Sequence, residues 1–329
     1  MTEEAMRNRA EGTSWKEVLL PAYEVRKRKE QKTAFIDMLK THFGDRMRVE
    51  TCGSLVKSRN IVIGDPETAD AVYTAHYDTC AGLPFPNFIT PRNLPVFLLY
   101  QIAVALLFAV PLFAADLLAA WLSRDLPDLV GLCVTEGVLI AGLGFVLWVF
   151  VGDHPNPHTA NDNTSGVAAV LTLADRLAGE NVAFILFDNE ENGLLGSAGY
   201  AAAHPEVRKH RLIVNFDCVS DGTKILVLFS GAAEKLPCYA VLREEAEKLF
   251  ASDPLVCEVC PKKGTVYPSD QANFKVSAAV CALNESKRVG LYMDKIHTAK
   301  DTVFDDRNLE LLTDLFSAPA LLRSFADKA

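Results

Sequence analysis

The chain has 329 residues, half of them apolar and 23% charged, with 33 basic against 42 acidic side chains. That length suits one large domain or two small ones with a substantial core, and the apolar fraction excludes a disordered chain. A net charge of −9 argues against nucleic acid as a partner, because phosphate binding needs a basic surface. Residues 1–45 read as polar and helical, and their basic run Arg26-Lys27-Arg28-Lys29 reads as a solvated helix face, not a lipid-binding patch. The opening MTEEAMRNRAEGTSW has no apolar core of the kind a signal peptide carries.

From Arg46 the period shortens. MRVET, NIVIG and AVYTAHYD are β-branched runs separated by Gly, Asn and Pro, and they read as strands. After Asp162 come a helix (SGVAAVLTLADRLAG), a buried strand (NVAFILFD), a helical stretch (LLGSAGYAAAHPEVRKH) and a further strand (RLIVNFD). KILVLFSG, the amphipathic helix PCYAVLREEAEKLFAS, the strand VSAAVCALNE and a closing helix from about Asn308 complete the pattern. Fully apolar strands alternating with helices predict an α/β domain whose sheet is covered by helices on both faces. The eight cysteines are scattered and read as reduced thiols, and Cys257-x-x-Cys260 has no second pair to complete a structural zinc site.

Between these halves lie two apolar runs, VFLLYQIAVALLFAVPLFAADLLAAWL and LVGLCVTEGVLIAGLGFVLWVFV, joined by SRDLPD. Each exceeds the ~20 residues that a helix needs to cross ~30 Å of hydrocarbon, and neither has a polar stripe. They predict a transmembrane hairpin over 94–151, inserted into one catalytic domain formed by 1–93 and 152–329. A buried hairpin or an oligomer interface is the rival reading. Asp116 and Glu136 lie about equally far from the turn near Asp125, so both approach the outer interface or both face inward protonated. Pro111 predicts a kink in the first helix. Two spans return the chain to the side it left, and a polar N-terminal segment without a signal peptide places the catalytic domain in the cytoplasm. The flanking charges Arg92 and Arg124 add little to that orientation.

Five acidic or imidazole sites fall where strands are predicted to end: His76-Tyr77-Asp78, Asp162 in TANDNTSGV, Glu190-Glu191 in FDNEENGLLGS, Asp217 in VNFDCVSDG and His297 in KIHTAKDT. Carboxyl ends of strands are where ligand sites form in α/β sheets. Imidazoles and carboxylates are donors that zinc accepts, and two zincs sharing one carboxylate need five protein ligands. Asp78, two residues from His76, is placed to accept the second ring N–H and set the tautomer. Of the adjacent Glu190 and Glu191, one can bind metal while the other acts as general base. Asp162, flanked by Asn161 and Asn163, is the natural bridge. Singly, each has a structural reading: a helix cap for Asp162, surface charges for the glutamates, a core histidine for His297.

HYD, ANDNTSGVA, NEENGLLGS, NFD and IHTAKDT together resemble, motif for motif, the zinc exopeptidase family of bacterial leucyl aminopeptidases, glutamate carboxypeptidases and glutaminyl cyclases. The match runs from about residue 70 to about 305, apart from the apolar insertion. The resemblance implies a mixed, mostly parallel sheet and two zinc ions per chain, one on His76, Asp162 and Asp217 and the other on Asp162, Glu191 and His297. It implies Glu190 as the base of peptide hydrolysis and Tyr267 as a donor to the developing oxyanion. Gln271 in Ser269-Asp270-Gln271 departs from the family's Ser-Asp-His. NEENGLLGS is closer to the aminopeptidases, which implies a membrane-anchored enzyme acting on peptides with a free N-terminus. The alternatives are a single-zinc, glutaminyl-cyclase-like acyltransferase, a carboxypeptidase using Lys287 or Arg288, and an inactive receptor on the same fold.

Overall fold

A computed structural model describes residues 13–54 and 56–326. The first twelve residues of the expected N-terminal helical segment therefore lie outside the described residues. Helices α1 (Trp15–Tyr23) and α2 (Lys29–Phe43) lead into strands β1 (Met47–Cys52), β2 (Ser58–Ile63) and β3 (Ala71–His76). The apolar insertion forms α3 (Leu94–Ser123) and α4 (Asp128–Val151), followed by α5 (Gly166–Arg176), β4 (Val182–Phe187), α6 (Leu195–Ala203), α7 (Pro205–His210) and β5 (Leu212–Phe216). The remainder is β6 (Lys224–Phe229), α8 (Pro237–Leu249), β7 (Val256–Pro261), β8 (Ser277–Ser286), β9 (Gly290–Tyr292), α9 (Asp306–Phe316) and α10 (Pro319–Ala326).

The strands form one mixed sheet in the order β1-β2-β4-β3-β5-β8-β6-β7, with β9 paired to β8. Its centre, β4-β3-β5-β8, is parallel, while β1, β2, β6 and β9 add antiparallel ladders. Side chains alternate across it with the period of two that a pleated strand imposes. Tyr73, Phe184, Leu186, Val214 and Phe216 enter the large core under α1, α2, α5, α8, α9 and α10. Val72, Ala183, Ile185, Phe187 and Ile213 face the other way, toward Tyr200, Ala201 and Val207 of α6 and α7. Tyr73 anchors the larger layer: its ring meets Phe216 and Phe316 edge-on, and its hydroxyl donates to the Phe316 carbonyl at 2.8 Å.

The structure corrects three expectations. The helical stretch after Leu194 breaks into α6 and α7 at His204, because Pro205 disfavours helical backbone in the residue before it. β7 and β9 were not read as strands. β7 is a half-exposed edge strand whose sequence VCEVCP lacks an apolar run, and β9 has only three residues. The basic run is not a solvated helix face. It spans the break between α1 and α2, and Arg26 is fully buried there.

The insertion projects from the domain. At 1.5 Å per residue, the 30-residue α3 and 24-residue α4 span about 45 and 36 Å, long enough for a bilayer core of ~30 Å. Their apolar side chains point outward: Leu99, Phe113, Leu129 and Ile140 are each 65–73% exposed. Within this chain, then, the hairpin is not a buried core element. Pro111 lies inside a continuous α3, Asp116 is half-buried and Glu136 is exposed. The root is rigidly built. Ala81 pairs with Pro155, the Gly82 N–H donates to the His154 carbonyl at 3.0 Å, and Phe85, Phe108 and Phe150 pack ring against ring. Farther along, Ile89 pairs with Met293 and Arg92 makes a two-pronged ion pair with Glu258.

Candidate metal centre

Parallel pairing of β4, β3 and β5 brings three chain segments to one edge of the sheet. His76 is the last residue of β3, Asp217 follows β5, and Glu190 and Glu191 follow β4. Asp162 sits in an irregular turn, Ala160–Ser165, just ahead of α5, and its peptide bond to Asn163 is cis. His297 comes from the loop after β9. Three of the four described non-glycine residues with positive φ are here: Asn189, Cys218 and His297 itself. Such backbone is uncommon and is retained where it aims functional groups.

The five expected ligands meet. His76 Nε2 lies 3.3 Å from Asp162 Oδ1 and 3.5 Å from Asp217 Oδ1. His297 Nε2 lies 3.0 Å from Asp162 Oδ2 and 3.2 Å from Glu191 Oε2. One carboxylate thus presents its two oxygens to two separate imidazoles. Donor atoms around a tetrahedral zinc with bonds near 2.0–2.1 Å stand about 3.3 Å apart, which these spacings match. Glu191 Oε1 is buried with no hydrogen-bond partner, as expected of a group that needs a cation. The residues present fit zinc.

Electrostatics point the same way. Burial pushes Glu191 up to about 8, with Asp162 adding to the rise against the pull of His297. Burial, then Glu191, Asp270 and Asp217, raise Glu190 well above the ordinary carboxylate range despite His76. Burial opposes charge on His297, yet Glu191 and Asp162 outweigh it and hold the imidazole at about 9. Asp301 and Asp270 are each pushed up to about 7, chiefly by burial. Acids crowded to this degree repel one another's charges, and a bound dication relieves that repulsion.

A second set of side chains holds the ligands in place. The Asp78 carboxylate does not take the His76 ring proton. The Asp78 backbone carbonyl faces His76 Nδ1 at 3.1 Å, and the carboxylate accepts from the Glu190 and Glu191 N–H groups at 3.0 and 3.2 Å. Asp301 does the same for the other loop, accepting from the Asn161 and Asp162 N–H groups at 2.8 and 3.0 Å. Asn161 Oδ1 accepts from the Ser220 and Asp221 N–H groups, and Asn163 Oδ1 from those of Gly166 and Cys218, stapling the Asp162 turn to the Asp217 loop. A Cβ on Gly166 would come within 2.3 Å of both Asn163 Oδ1 and the Phe216 carbonyl, so only glycine fits under this staple. Arg26 braces the same region, donating to the Tyr77 carbonyl at 2.5 Å and Thr164 Oγ1 at 3.1 Å, and Lys32 pairs with buried Asp188. Asp301→Asn should weaken metal affinity about 10- to 100-fold with the fold intact, as read by chelator competition and circular dichroism. Unchanged affinity would remove Asp301 from this role.

Tyr267 is near the site but not as expected: its hydroxyl donates to the Asp217 carbonyl at 3.0 Å and positions that loop. Gln271 stays outside the donor set, accepting from Asn215 and donating to the Tyr267 carbonyl. Cys257 and Cys260 join no candidate metal cluster among the described residues. Sequence reading missed Arg26, Lys32, Asp188 and Asp301. Asp301 alone left a local signal, as the acid four residues beyond His297.

Two imidazoles and three carboxylates converging at the strand ends of an α/β sheet define a metal-dependent hydrolase. The chain belongs to peptidase family M28, whose model matches residues 148–318, and it is a zinc metallo-exopeptidase. Among solved structures, the LapA aminopeptidase of Legionella pneumophila is similar over 99% of this chain and 73% of its own, at 14% identity and a TM-score of 0.51. BSAP, a zinc aminopeptidase from Bacillus subtilis, covers 82% of this chain and 50% of its own at 17% identity and a TM-score of 0.44. The TET1 peptidase of Pyrococcus horikoshii covers 93% and 99% at 13% identity and a TM-score of 0.45. At such identities the likeness to LapA concerns the fold. No curated protein matches the chain.

Proposed function

We propose that this protein is a membrane-anchored aminopeptidase that holds two zinc ions and removes N-terminal residues from peptides. The observation that carries the reading is the Asp162 carboxylate, whose two oxygens face His76 and His297. His76, Asp162 and Asp217 would hold one ion and Asp162, Glu191 and His297 the other. Zinc there supplies Lewis-acid chemistry, polarising a carbonyl and making water more acidic. Glu190 is a further carboxylate at the site, with an oxygen within 4.8 Å of donor atoms of both His76 and Glu191. Its raised proton affinity suits it to take a proton from the attacking water and pass it to the leaving amine. The Asp78 carboxylate, gripping two backbone N–H groups, keeps Glu190 and Glu191 in register.

The free amino end is favoured on charge. The buried ionisable groups around the site are acids, apart from its two histidines and Arg26 and Lys32, which bond to the Tyr77 carbonyl and to Asp188. Such a pocket attracts an α-ammonium and repels a terminal carboxylate. Lys287 and Arg288, the cations a carboxypeptidase would use, are exposed in the turn between β8 and β9. Detergent-purified protein should contain two zincs and hydrolyse aminoacyl substrates but not their N-acetylated forms. Equal cleavage of both, or cyclisation of N-terminal Gln peptides with one zinc bound, would overturn this reading.

The hairpin root supports a site mouth near the bilayer. His297 is the most exposed of the five ligands, its side chain 25% accessible, and its carbonyl accepts the Leu83 N–H of the root at 2.7 Å. Pro84, Pro86, Pro91, Pro95, Pro155 and Pro157 stiffen both flanks and favour a fixed standoff. The proposed topology has two spans with the catalytic domain on the cytoplasmic side. Labelling of a catalytic-domain surface cysteine by an impermeant reagent in intact cells would contradict that side. Replacing Leu94–Val151 with a short Gly/Ser linker should yield a soluble protein that keeps most of its hydrolysis of small aminoacyl substrates. A folded, metal-loaded but inactive linker variant would make the hairpin part of the site.

A further inference from the structure

We infer that Cys80 is a fourth protein ligand of the metal site built on His297, closing that site and leaving the His76 site as the open, working one. The inference rests on the two-metal reading above. The Cys80 Sγ, a Glu191 carboxylate oxygen and a His297 ring nitrogen all lie within 4.8 Å of one another, and Cys80 is 3% exposed. A second observation makes this more than a buried thiol. The Glu191 carboxylate of this cluster faces His297 through Oε2 at 3.2 Å, and its other oxygen, Oε1, is buried with no partner in a side chain only 7% accessible. The backbone also holds the cluster together. The Cys80 carbonyl accepts the Asn156 N–H at 3.2 Å, and three residues on, Leu83 is bonded to His297.

The two sites then differ in kind. His76, Asp162 and Asp217 supply three protein donors and leave a position for water or substrate, the pattern of a catalytic zinc. Glu191, His297 and Cys80, with the Asp162 oxygen that faces His297, would supply four, the pattern of a closed site. Burial, with Glu191, Asp162 and Asp301 nearby, holds the Cys80 proton in place in the metal-free chain. Coordination reverses that balance: the thiol gives its proton to solvent and binds as thiolate. Substrate amine recognition then falls to the surrounding carboxylates, since the second metal has no vacant position. Cys218 is the rival thiol, next to Asp217, but its Sγ is turned to Asp217 Oδ1 at 3.2 Å and it joins none of the donor clusters.

Zinc-edge X-ray absorption on the zinc-loaded, full-length protein in detergent decides the matter without a variant. It should show one sulfur scatterer per two zincs, at about 2.3 Å. The cobalt-loaded protein should show a near-ultraviolet thiolate-to-metal band that Cys80→Ser loses and Cys218→Ser keeps. Chelator should strip one metal quickly and the other slowly, with the slow one at least about tenfold weaker in Cys80→Ser. Two bound zincs with peptide hydrolysis and no sulfur scatterer would overturn the Cys80 assignment while leaving the proposed function standing. A band lost in Cys218→Ser and kept in Cys80→Ser would overturn it equally. Failure to bind any metal would remove both.

Discussion

Glu190→Gln is expected to lower kcat by about a thousandfold or more while both metals stay bound. The glutamine is isosteric but cannot accept the proton of the attacking water or return it to the amine, and general acid–base assistance is worth roughly 10²–10⁴ in rate. The Glu190 backbone N–H still donates to Asp78 Oδ1, so the loop that carries Glu191 should not move. Glu191→Gln should behave differently, weakening one metal site because it alters a donor beside His297. Kinetics and metal analysis on the two variants separate the roles. Normal turnover in Glu190→Gln would remove it as the base.

Asp162→Asn is expected to have the broadest effect, weakening both metal sites at once. Its two oxygens face different imidazoles, and an amide replaces one of them with an NH₂ group that cannot coordinate. The loss at each site should exceed the roughly 100-fold that removal of an outer partner costs. Asp217→Asn should weaken only the His76 site, since Asp217 faces His76 alone among the two imidazoles. Calorimetric titration with zinc on the two variants tests the bridge directly. One intact site in Asp162→Asn would show that the carboxylate is not shared.

Much of the site was legible because most of its donors sit next to an element with a strong local signal, His297 in its loop excepted. β3, β4 and β5 are short, buried and mostly apolar strands, and His76, Glu190 and Asp217 stand at or just beyond their ends. The positions of Arg26, Lys32 and Asp301 were not legible for a common reason. Their partners are Tyr77, Asp188 and Asp162, each more than 50 residues away in sequence, so no local pattern tells which group each one holds. Arg26 shows the failure most plainly: four basic residues in a row read as solvated, and the first is fully buried.

Composition, periodicity and motif spacing by themselves determined the α/β class, the donor types that zinc accepts, and two apolar helices long enough to cross a membrane. These depend on short-range patterns, which residue types and their spacing carry in full. Only the tertiary structure decided that the two Asp162 oxygens face different imidazoles, that the Asp78 and Asp301 carboxylates grip backbone N–H groups, and that Tyr267 donates to a carbonyl. It alone brought Cys80 beside His297 and the hairpin root against the same loop. Those contacts join residues far apart in the chain, and hydrogen-bond direction and side-chain aim are set by packing that no local pattern encodes.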